Sequence, residues 1–123
     1  MNETEKFLDS YAIIEILNQK PQYARFASAT GVCTAANLVE VAYHLLSETT
    51  PERTRLIMDS LRVKVLEIPP DAAVEIAAFR KKHAKKKLSY IDCVGYVVAL
   101  RNNIPFVTGD KEFEKMPNVE FVK

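Results

Sequence analysis

The stretch Leu88–Phe113, LSYIDCVGYVVALRNNIPFVTGDKEF, contains the helix and the strand around which the rest of the chain is organised. Ser89 is a suitable N-cap for the helix, and Asp92 follows it at the spacing of a capping box. Residues 106–107 predict a short buried strand, and Asp110 lies just past its C-terminal end. Two consecutive elements therefore bring two carboxylates to one edge of a sheet, the edge where ligands bind in open α/β folds.

The size and composition of the chain exclude several classes of protein. Its 123 residues, 48% hydrophobic and 27% charged, are typical of a single globular domain over residues 1–123. A net charge of +1 gives no overall field that would draw the protein onto nucleic acid or membrane. The start MNETEKFLDS lacks the features of a signal region, and no apolar run is long enough to cross a membrane. Cys33 and Cys93 lie in apolar runs, so we expect a cytoplasmic protein with reduced thiols.

Segments with strand character alternate with segments of helical period along the chain. The predicted strands cover residues 6–8, 32–35, 63–68, 106–107 and 119–122. The predicted helices begin at Ser10, Gln22, Asn37, Thr50, Asp71 and Ser89. The helix over 38–46 is apolar on nearly every side, which predicts that it is largely buried. Strands separated by helices favour a three-layer α/β/α sandwich with a parallel sheet and right-handed crossovers.

Four acids accompany the predicted strand ends. Asp9 follows the first strand, Glu40 lies one turn into the helix after the second, Asp92 opens the helix before the fourth, and Asp110 follows that strand. Each acid has a purely structural explanation. Asp9 and Asp110 can cap the next helical turn, while Glu40 and Asp92 each follow a suitable cap residue by three positions.

The four acids also share one side of the predicted sheet, because strand C-termini and the N-termini of the following helices lie at the same edge. Capping alone does not require an acid, since Ser, Thr and Asn serve as well. Carboxylates brought together repel one another, and crowding raises their pKa. A hard divalent cation with oxygen ligands, Mg²⁺ or Mn²⁺, keeps such carboxylates ionised. The joint arrangement therefore predicts a metal site made by Asp9, Glu40, Asp92 and Asp110.

A metal held by carboxylates, with positions left open for water, is suited to the hydrolysis of phosphodiester bonds. The ion lowers the pKa of a bound water and offsets charge on the pentacoordinate phosphate, and a second ion can stabilise the leaving oxygen. The sequence contains no rival signature: there is no nucleophile elbow, no phosphate-binding loop, and only three glycines, too few for a dinucleotide fingerprint.

The segments around the acids are FLDS at Asp9, ANLVEVAYHL at Glu40, SYIDCVGYVVAL at Asp92 and FVTGDKEF at Asp110. In order and spacing they resemble the PIN-domain ribonucleases, most closely the short VapC-type toxins of toxin–antitoxin pairs. The resemblance implies a PIN-like sheet ordered 3-2-1-4-5 and a Mg²⁺- or Mn²⁺-dependent endoribonuclease that leaves a 5′-phosphate. It places the four acids at the family's catalytic and metal-binding positions, and Ser10 and Thr108 at its supporting hydroxyls.

The same resemblance implies the partners of the protein. An RNA would be the substrate, the chain would form a homodimer, and an antitoxin protein would inhibit it with a tail that reaches into the site. The segment 51–87 carries no family signature, so the subfamily stays open.

A basic run lies close to Asp92 in sequence. It can bind RNA phosphates, or it can form a solvated helix end whose cations complement the helix dipole, the explanation that we favour. Its cations are Arg80, Lys81, Lys82, Lys85, Lys86 and Lys87.

Two other functions compete with a toxin or a solitary nuclease. A phospho-acceptor receiver domain also places acids at strand ends, but it needs an acceptor Asp after the third strand, where this chain has Ile68-Pro69-Pro70. A catalytically idle PIN-like scaffold that binds RNA or protein would not need the four acids.

Overall fold

Five parallel strands form the centre of the computed structural model, which describes residues 5–123. The strands are β1 (Glu5–Leu8), β2 (Thr30–Thr34), β3 (Val63–Leu66), β4 (Phe106–Thr108) and β5 (Val119–Phe121). They lie in the order β3-β2-β1-β4-β5, and every pair of neighbours is parallel. The predicted strand order is confirmed.

Five α-helices connect the strands. They are α1 (Ser10–Leu17), α2 (Ala35–Leu46), α3 (Pro51–Ser60), α4 (Ala73–Lys82) and α5 (Tyr90–Arg101). Short 3₁₀ segments lie at Pro21–Phe26, Pro70–Ala72 and Lys111–Phe113. No helix within residues 5–123 combines the length and the apolar character needed to cross a bilayer.

The sheet carries a hydrophobic core on each face. Because successive strand residues point to opposite faces, Phe7 of β1 packs into the core beneath α4 and α5, while Leu8 packs into the core beneath α1 and α2. Cys33 and Cys93 are buried free thiols in these two separate cores, so the sheet stands between them. The observed layers confirm the predicted α/β/α sandwich.

Every predicted strand differs from the structure in at least one bound, and the largest differences concern three elements. The second strand covers 30–34 rather than 32–35, the third ends at Leu66 rather than at 68, and the segment after Pro21 is a 3₁₀ turn rather than a helix over 22–29. A short apolar run fixes the existence of an element better than its ends, because the ends depend on pairing with neighbours.

The predicted cap of α2 was wrong. Thr34, the last residue of β2, is the N-cap, so the strand runs into the helix without a loop. Asn37 stands at the third helical position instead, where its Oδ1 accepts hydrogen bonds from Thr34 N at 2.9 Å and from Thr34 Oγ1 at 2.8 Å. Glu40 therefore has no part in this capping box.

The prediction that α2 is largely buried was also wrong. Val41 is buried, but Val39 is 66% exposed and Tyr43 is 74% exposed. The helix contacts α1, α3, α5 and the sheet, and the side turned away from them is exposed. An apolar surface that runs around the helix is therefore partly in solvent.

Gly95 lets α5 approach the sheet closely. A Cβ atom at this position would lie 3.0 Å from Cε1 of Phe7 and 3.3 Å from Cε1 of Phe106. Those rings stack on each other with centroids 5.5 Å apart, so they have little room to move. The close approach sets the position of the helix that carries Asp92.

We expect Gly95→Val to lower the free energy of unfolding by about 2 kcal/mol or more, because overpacking this contact forces the helix away from the sheet. Chemical denaturation measures the change. The matched control is Ala78→Val on the exposed side of α4, which should change stability by no more than about 0.5 kcal/mol. Equal effects of the two substitutions would show that the valine acts through helix propensity alone.

Candidate active site

All four predicted acids line one open cleft of about 450 Å³ at the carboxyl edge of the sheet. Asp9 comes from the end of β1, Glu40 from α2, Asp92 from α5, and Asp110 from just beyond β4. The remaining lining residues are Ser10, Tyr11, Gly109 and Lys111. Four elements that are distant in sequence therefore contribute negative charge to one place.

Asp9 is the most deeply placed acid, with only 5% of its surface exposed. Its Oδ1 accepts a hydrogen bond of 2.7 Å from the backbone N–H of Ala12, so it caps α1 as well as facing the cleft. The pKa of Asp9 is raised from 3.8 to about 7, chiefly by burial and less by Asp92 and Asp110. Hydrogen bonds from Thr108 and Ala12 oppose this rise.

Asp92 forms the predicted capping box with Ser89. Asp92 Oδ2 accepts from Ser89 N at 2.9 Å, and Asp92 N donates to Ser89 Oγ at 3.0 Å. Burial raises the pKa of Asp92, and the charges of Asp110 and Glu40 add to the rise, while the two bonds from Ser89 oppose it. Asp92 therefore interacts electrostatically with the other acids of the cleft.

Asp110 is held by the turn that follows β4. Its N–H donates to Thr108 Oγ1 at 3.0 Å, and its Oδ1 accepts from Glu112 N at 2.9 Å. Thr108 is fully buried and also bonds to Asp9, so this hydroxyl links two acids of the site. The role of Thr108 as a supporting hydroxyl stays a prediction.

Ser10 supports the site in a different way. Its Oγ accepts a hydrogen bond of 3.1 Å from Asn37 Nδ2. This bond connects α1 to α2 about one helical turn before Glu40. Within residues 5–123, no hydrogen bond joins the Ser10 hydroxyl to a carboxylate. Ser10 therefore connects two helices and lines the cleft, and its role as a hydroxyl that supports the carboxylates stays a prediction.

Sequence reasoning missed two residues of the site. Asn37, assigned only a cap, is buried and connects β2, α1 and α2 through three hydrogen bonds. Lys111 lines the acidic cleft and brings a positive charge to its mouth. The available signal for Lys111 was its position in sequence, directly after Asp110 at the end of a strand.

The capping explanation accounts for three of the acids but not for Glu40. Asp9, Asp92 and Asp110 each use one carboxylate oxygen to accept a helix or turn N–H. In the described part of the chain, Asp92 Oδ1 and Asp110 Oδ2 accept no hydrogen bond. Capping therefore leaves carboxylate oxygens available to a ligand.

The donor set fits a hard divalent cation, because the cleft offers several carboxylates and no thiol or imidazole. Over residues 5–123, no three His, Cys, Asp or Glu side chains stand close enough to form a ready-made metal cage. Mg²⁺ usually binds through one or two carboxylates and keeps several waters, so its binding does not require such a cage.

The six predicted phosphate contacts lie outside this cleft. Arg80, Lys81 and Lys82 form the last turn of α4, as the helix-end explanation predicts. Lys85, Lys86 and Lys87 are exposed in the connection between α4 and α5.

We expect Asp9→Asn to raise the free energy of unfolding by about 1–3 kcal/mol at pH 8 in metal-free buffer. The folded-state pKa of Asp9 lies above its unfolded value, so ionisation penalises folding from about pH 4 upward and fully above about pH 7. The gain should therefore vanish near pH 4. Asparagine keeps the cap, since it accepts a hydrogen bond as aspartate does.

Denaturation in EDTA across pH 4–8 measures this effect. The matched control is Asp59→Asn, an exposed acid on α3, which should show no such pH dependence. A variant at position 9 that is less stable than the parent at pH 8 would mean that the cap outweighs the repulsion.

Comparison with known proteins places this geometry in a family. The family model of the PIN domain matches residues 6–119 of the chain. Comparison with curated proteins gives no match.

Several solved structures share the fold. A toxin–antitoxin complex from Klebsiella pneumoniae has a TM-score of 0.74 at 18% identity, covering 94% of this chain and 95% of that chain. VapC20 from Mycobacterium tuberculosis, a Sarcin-Ricin loop cleaving toxin, gives 0.74 at 18% identity, covering 95% and 98%. DNA-bound VapBC from Salmonella typhimurium gives 0.72 at 25% identity, covering 94% and 96%.

The family model covers β2, β3 and β4 completely, β1 from its second residue, and only the first residue of β5. It includes the four acids of the cleft. The chain belongs to the PIN domain family.

Proposed function

We propose that the protein is a Mg²⁺- or Mn²⁺-dependent endoribonuclease and the toxin of a toxin–antitoxin pair. The observation that carries this proposal is the convergence of Asp9, Glu40, Asp92 and Asp110 on one cleft. A buried acid beside other carboxylates is costly to fold when no cation compensates it, as the raised pKa of Asp9 indicates. A cation in the cleft offsets that cost. Binding a cation also explains why the acids are clustered, which capping does not explain.

The residues that would hold the ion are Asp9, Asp92 and Asp110, with Glu40 holding the ion or orienting the attacking water. When bound, the ion supplies an activated water and neutralises charge on the phosphate undergoing attack. Lys111, at the mouth of the same cleft, can contact a non-bridging oxygen of that phosphate.

The toxin assignment draws on the structural comparisons. The similar structures from Klebsiella pneumoniae and Salmonella typhimurium are a toxin–antitoxin complex and a DNA-bound VapBC, and the one from Mycobacterium tuberculosis is a Sarcin-Ricin loop cleaving toxin. The proposal gives this chain properties of the same kind: an RNA substrate, an inhibiting antitoxin protein and a homodimer.

An exposed apolar strip near the cleft agrees with a protein partner. Val39 and Tyr43 of α2 lie one turn apart, on either side of Glu40 in sequence, and together with Ile14 they line a shallow groove beside it. A partner that covers this strip would also reach the acids. Leu46 extends the strip by another turn and is half-exposed.

We expect Asp92→Asn to reduce Mn²⁺-dependent cleavage of RNA by about 100-fold or more, because it removes a charge that faces the ion and the phosphate. Asparagine can still accept the hydrogen bond from Ser89 N, so the capping box and the fold should persist. Gel analysis of a labelled RNA measures cleavage, and thermal unfolding checks the fold. Asp59→Asn is the matched control, and full activity of both variants would refute the assignment.

Glu40→Gln separates metal binding from capping, because Glu40 takes no part in a capping box. We expect Mn²⁺ affinity measured by calorimetry to fall roughly tenfold, since one carboxylate charge is lost. The melting temperature in EDTA should not fall. The control Glu67→Gln, exposed after β3, should leave both quantities unchanged. Unchanged Mn²⁺ affinity in the Glu40 variant would remove this acid from the proposed site.

A further inference from the structure

The basic run, residues 80–87, carries more positive charge than is needed to complement the dipole of a helix C-terminus. Three of its six cations, Arg80, Lys81 and Lys82, complement the dipole of the last turn of α4. Lys85, Lys86 and Lys87 lie beyond the helix, where this explanation does not apply. Across the described residues, none of the six forms an ion pair, although cations elsewhere, such as Lys6 and Arg101, do.

The connection that carries these lysines is fixed beside the acidic cleft. Lys86 Nζ donates a hydrogen bond of 3.1 Å to the carbonyl oxygen of Glu112, and Glu112 N donates to Asp110 Oδ1. Three residues further on, the connection leads into Ser89, whose N–H donates to Asp92 Oδ2. The part of the basic connection that adjoins α5 is therefore linked to Asp110 through Glu112 and to Asp92 through Ser89.

An exposed aromatic ring follows the basic connection in sequence, two residues before Asp92. Tyr90, the first residue of α5, is 66% exposed. The guanidinium of Arg80 lies over its ring, 4.1 Å from the centroid. This cation–π contact orients the ring and brings a positive charge to it, while most of the ring surface stays open to solvent. Exposed aromatic rings beside cations are the elements with which proteins bind single-stranded nucleic acid.

The surroundings of His83 indicate that this surface carries positive charge. Its ring packs against Phe79 with centroids 4.5 Å apart. Its pKa is lowered first by burial and then by the charges of Lys82 and Lys86. Lys82 and Lys86 therefore contribute positive charge to this surface, in a protein whose net charge is only +1.

We propose that Arg80, Tyr90 and Lys85–Lys87 form a nucleotide-binding subsite that holds the substrate strand next to the acidic cleft. The lysines contact backbone phosphates, and an unpaired base stacks on the Tyr90 ring. This inference rests on the proposed nuclease function, because it assigns a substrate-binding surface to that site. An acidic protein segment would also be attracted to the lysines, but it has no base that could stack on the exposed Tyr90 ring.

The subsite has a consequence for the form of the substrate. In duplex RNA the bases stack on one another, so no base face is free to contact Tyr90. We therefore expect a segment with at least one unpaired base beside the cleaved bond to bind in preference to a duplex of the same sequence.

The lysine contacts can be tested in an Asp92→Asn background, in which binding is measured without cleavage. We expect K85Q/K86Q/K87Q to weaken the affinity for a labelled single-stranded RNA by about tenfold or more at low salt. The slope of log affinity against log salt concentration should shrink by about 2, since each phosphate contact on a single strand contributes about 0.7. The matched control is R53Q/R55Q/R62Q, which removes three cations from α3 and its C-terminal end and should leave the slope unchanged.

The double variant K85Q/K87Q retains Lys86 and its hydrogen bond to Glu112. It therefore controls for a change in the conformation of the connection between α4 and α5. This double variant should show about two thirds of the change in salt slope that the triple variant shows, because it removes two of the three lysines. A normal salt slope for the double variant, together with a reduced melting temperature for the triple variant, would mean that the lysines are structural.

The stacking contact is tested by Tyr90→Ala and Tyr90→Phe in the same background. Alanine should weaken RNA binding by between about fivefold and about 100-fold, whereas phenylalanine, which keeps the ring, should bind nearly as well as tyrosine. The fluorescence of an RNA with 2-aminopurine beside the cleaved bond should be quenched on binding the protein with Tyr90 intact or the Y90F variant, but not on binding the Y90A variant.

The outcomes distinguish failure of the subsite from failure of the nuclease. If the active protein neither binds nor cleaves RNA, the proposed function and the subsite fail together. If it cleaves RNA while both lysine variants match the α3 control, the subsite is wrong and the nuclease stands. Equal binding of duplex and single strand, or competition by polyglutamate as effective as by RNA with no effect of Y90A, would also overturn the subsite.

Discussion

The parallel pairing of β1 with β4 is the constraint on which the rest of the site depends. Leu8 lies opposite Val107, and the N–H of Asp9 donates to the carbonyl oxygen of Val107 at 3.2 Å. This register places the residue after β1 beside Thr108, whose hydroxyl bonds to Asp9. The two strands are adjacent in the sheet although about a hundred residues separate them in sequence, and a slip of one residue would turn Asp9 to the opposite face.

Two opposing electrostatic effects act on the acids of the site. Burying Asp9 among other acids raises its pKa, yet helix and turn N–H groups hold Asp9, Asp92 and Asp110 in place and limit the repulsion. Capping and ligand binding are therefore compatible, because a carboxylate has two oxygens. The positive connection after α4 lies close to the acids without forming ion pairs among the described residues, so the surface keeps both charges available to a substrate.

Local signals predicted the site where a single element decides the outcome. The Ser89–Asp92 capping box was predicted because its partners are three residues apart in one helix. The cap of α2 was mispredicted because Thr34 belongs to a strand whose end is set by pairing with β3, and no local pattern shows where that pairing stops. The hydrogen bond between Ser10 and Asn37 was not predicted for a related reason: the two residues belong to different helices.

The sequence by itself determined the alternation of strands and helices, the parallel three-layer arrangement, and the presence of an acid at each relevant strand end, because periodicity and capping act over a few residues. Only the tertiary structure decided how deeply Asp9 is buried, which side of α2 stays exposed, and that Lys86 and Arg80 contact Glu112 and Tyr90. These properties depend on packing between segments distant in the chain, and burial and charge proximity arise only when those segments meet.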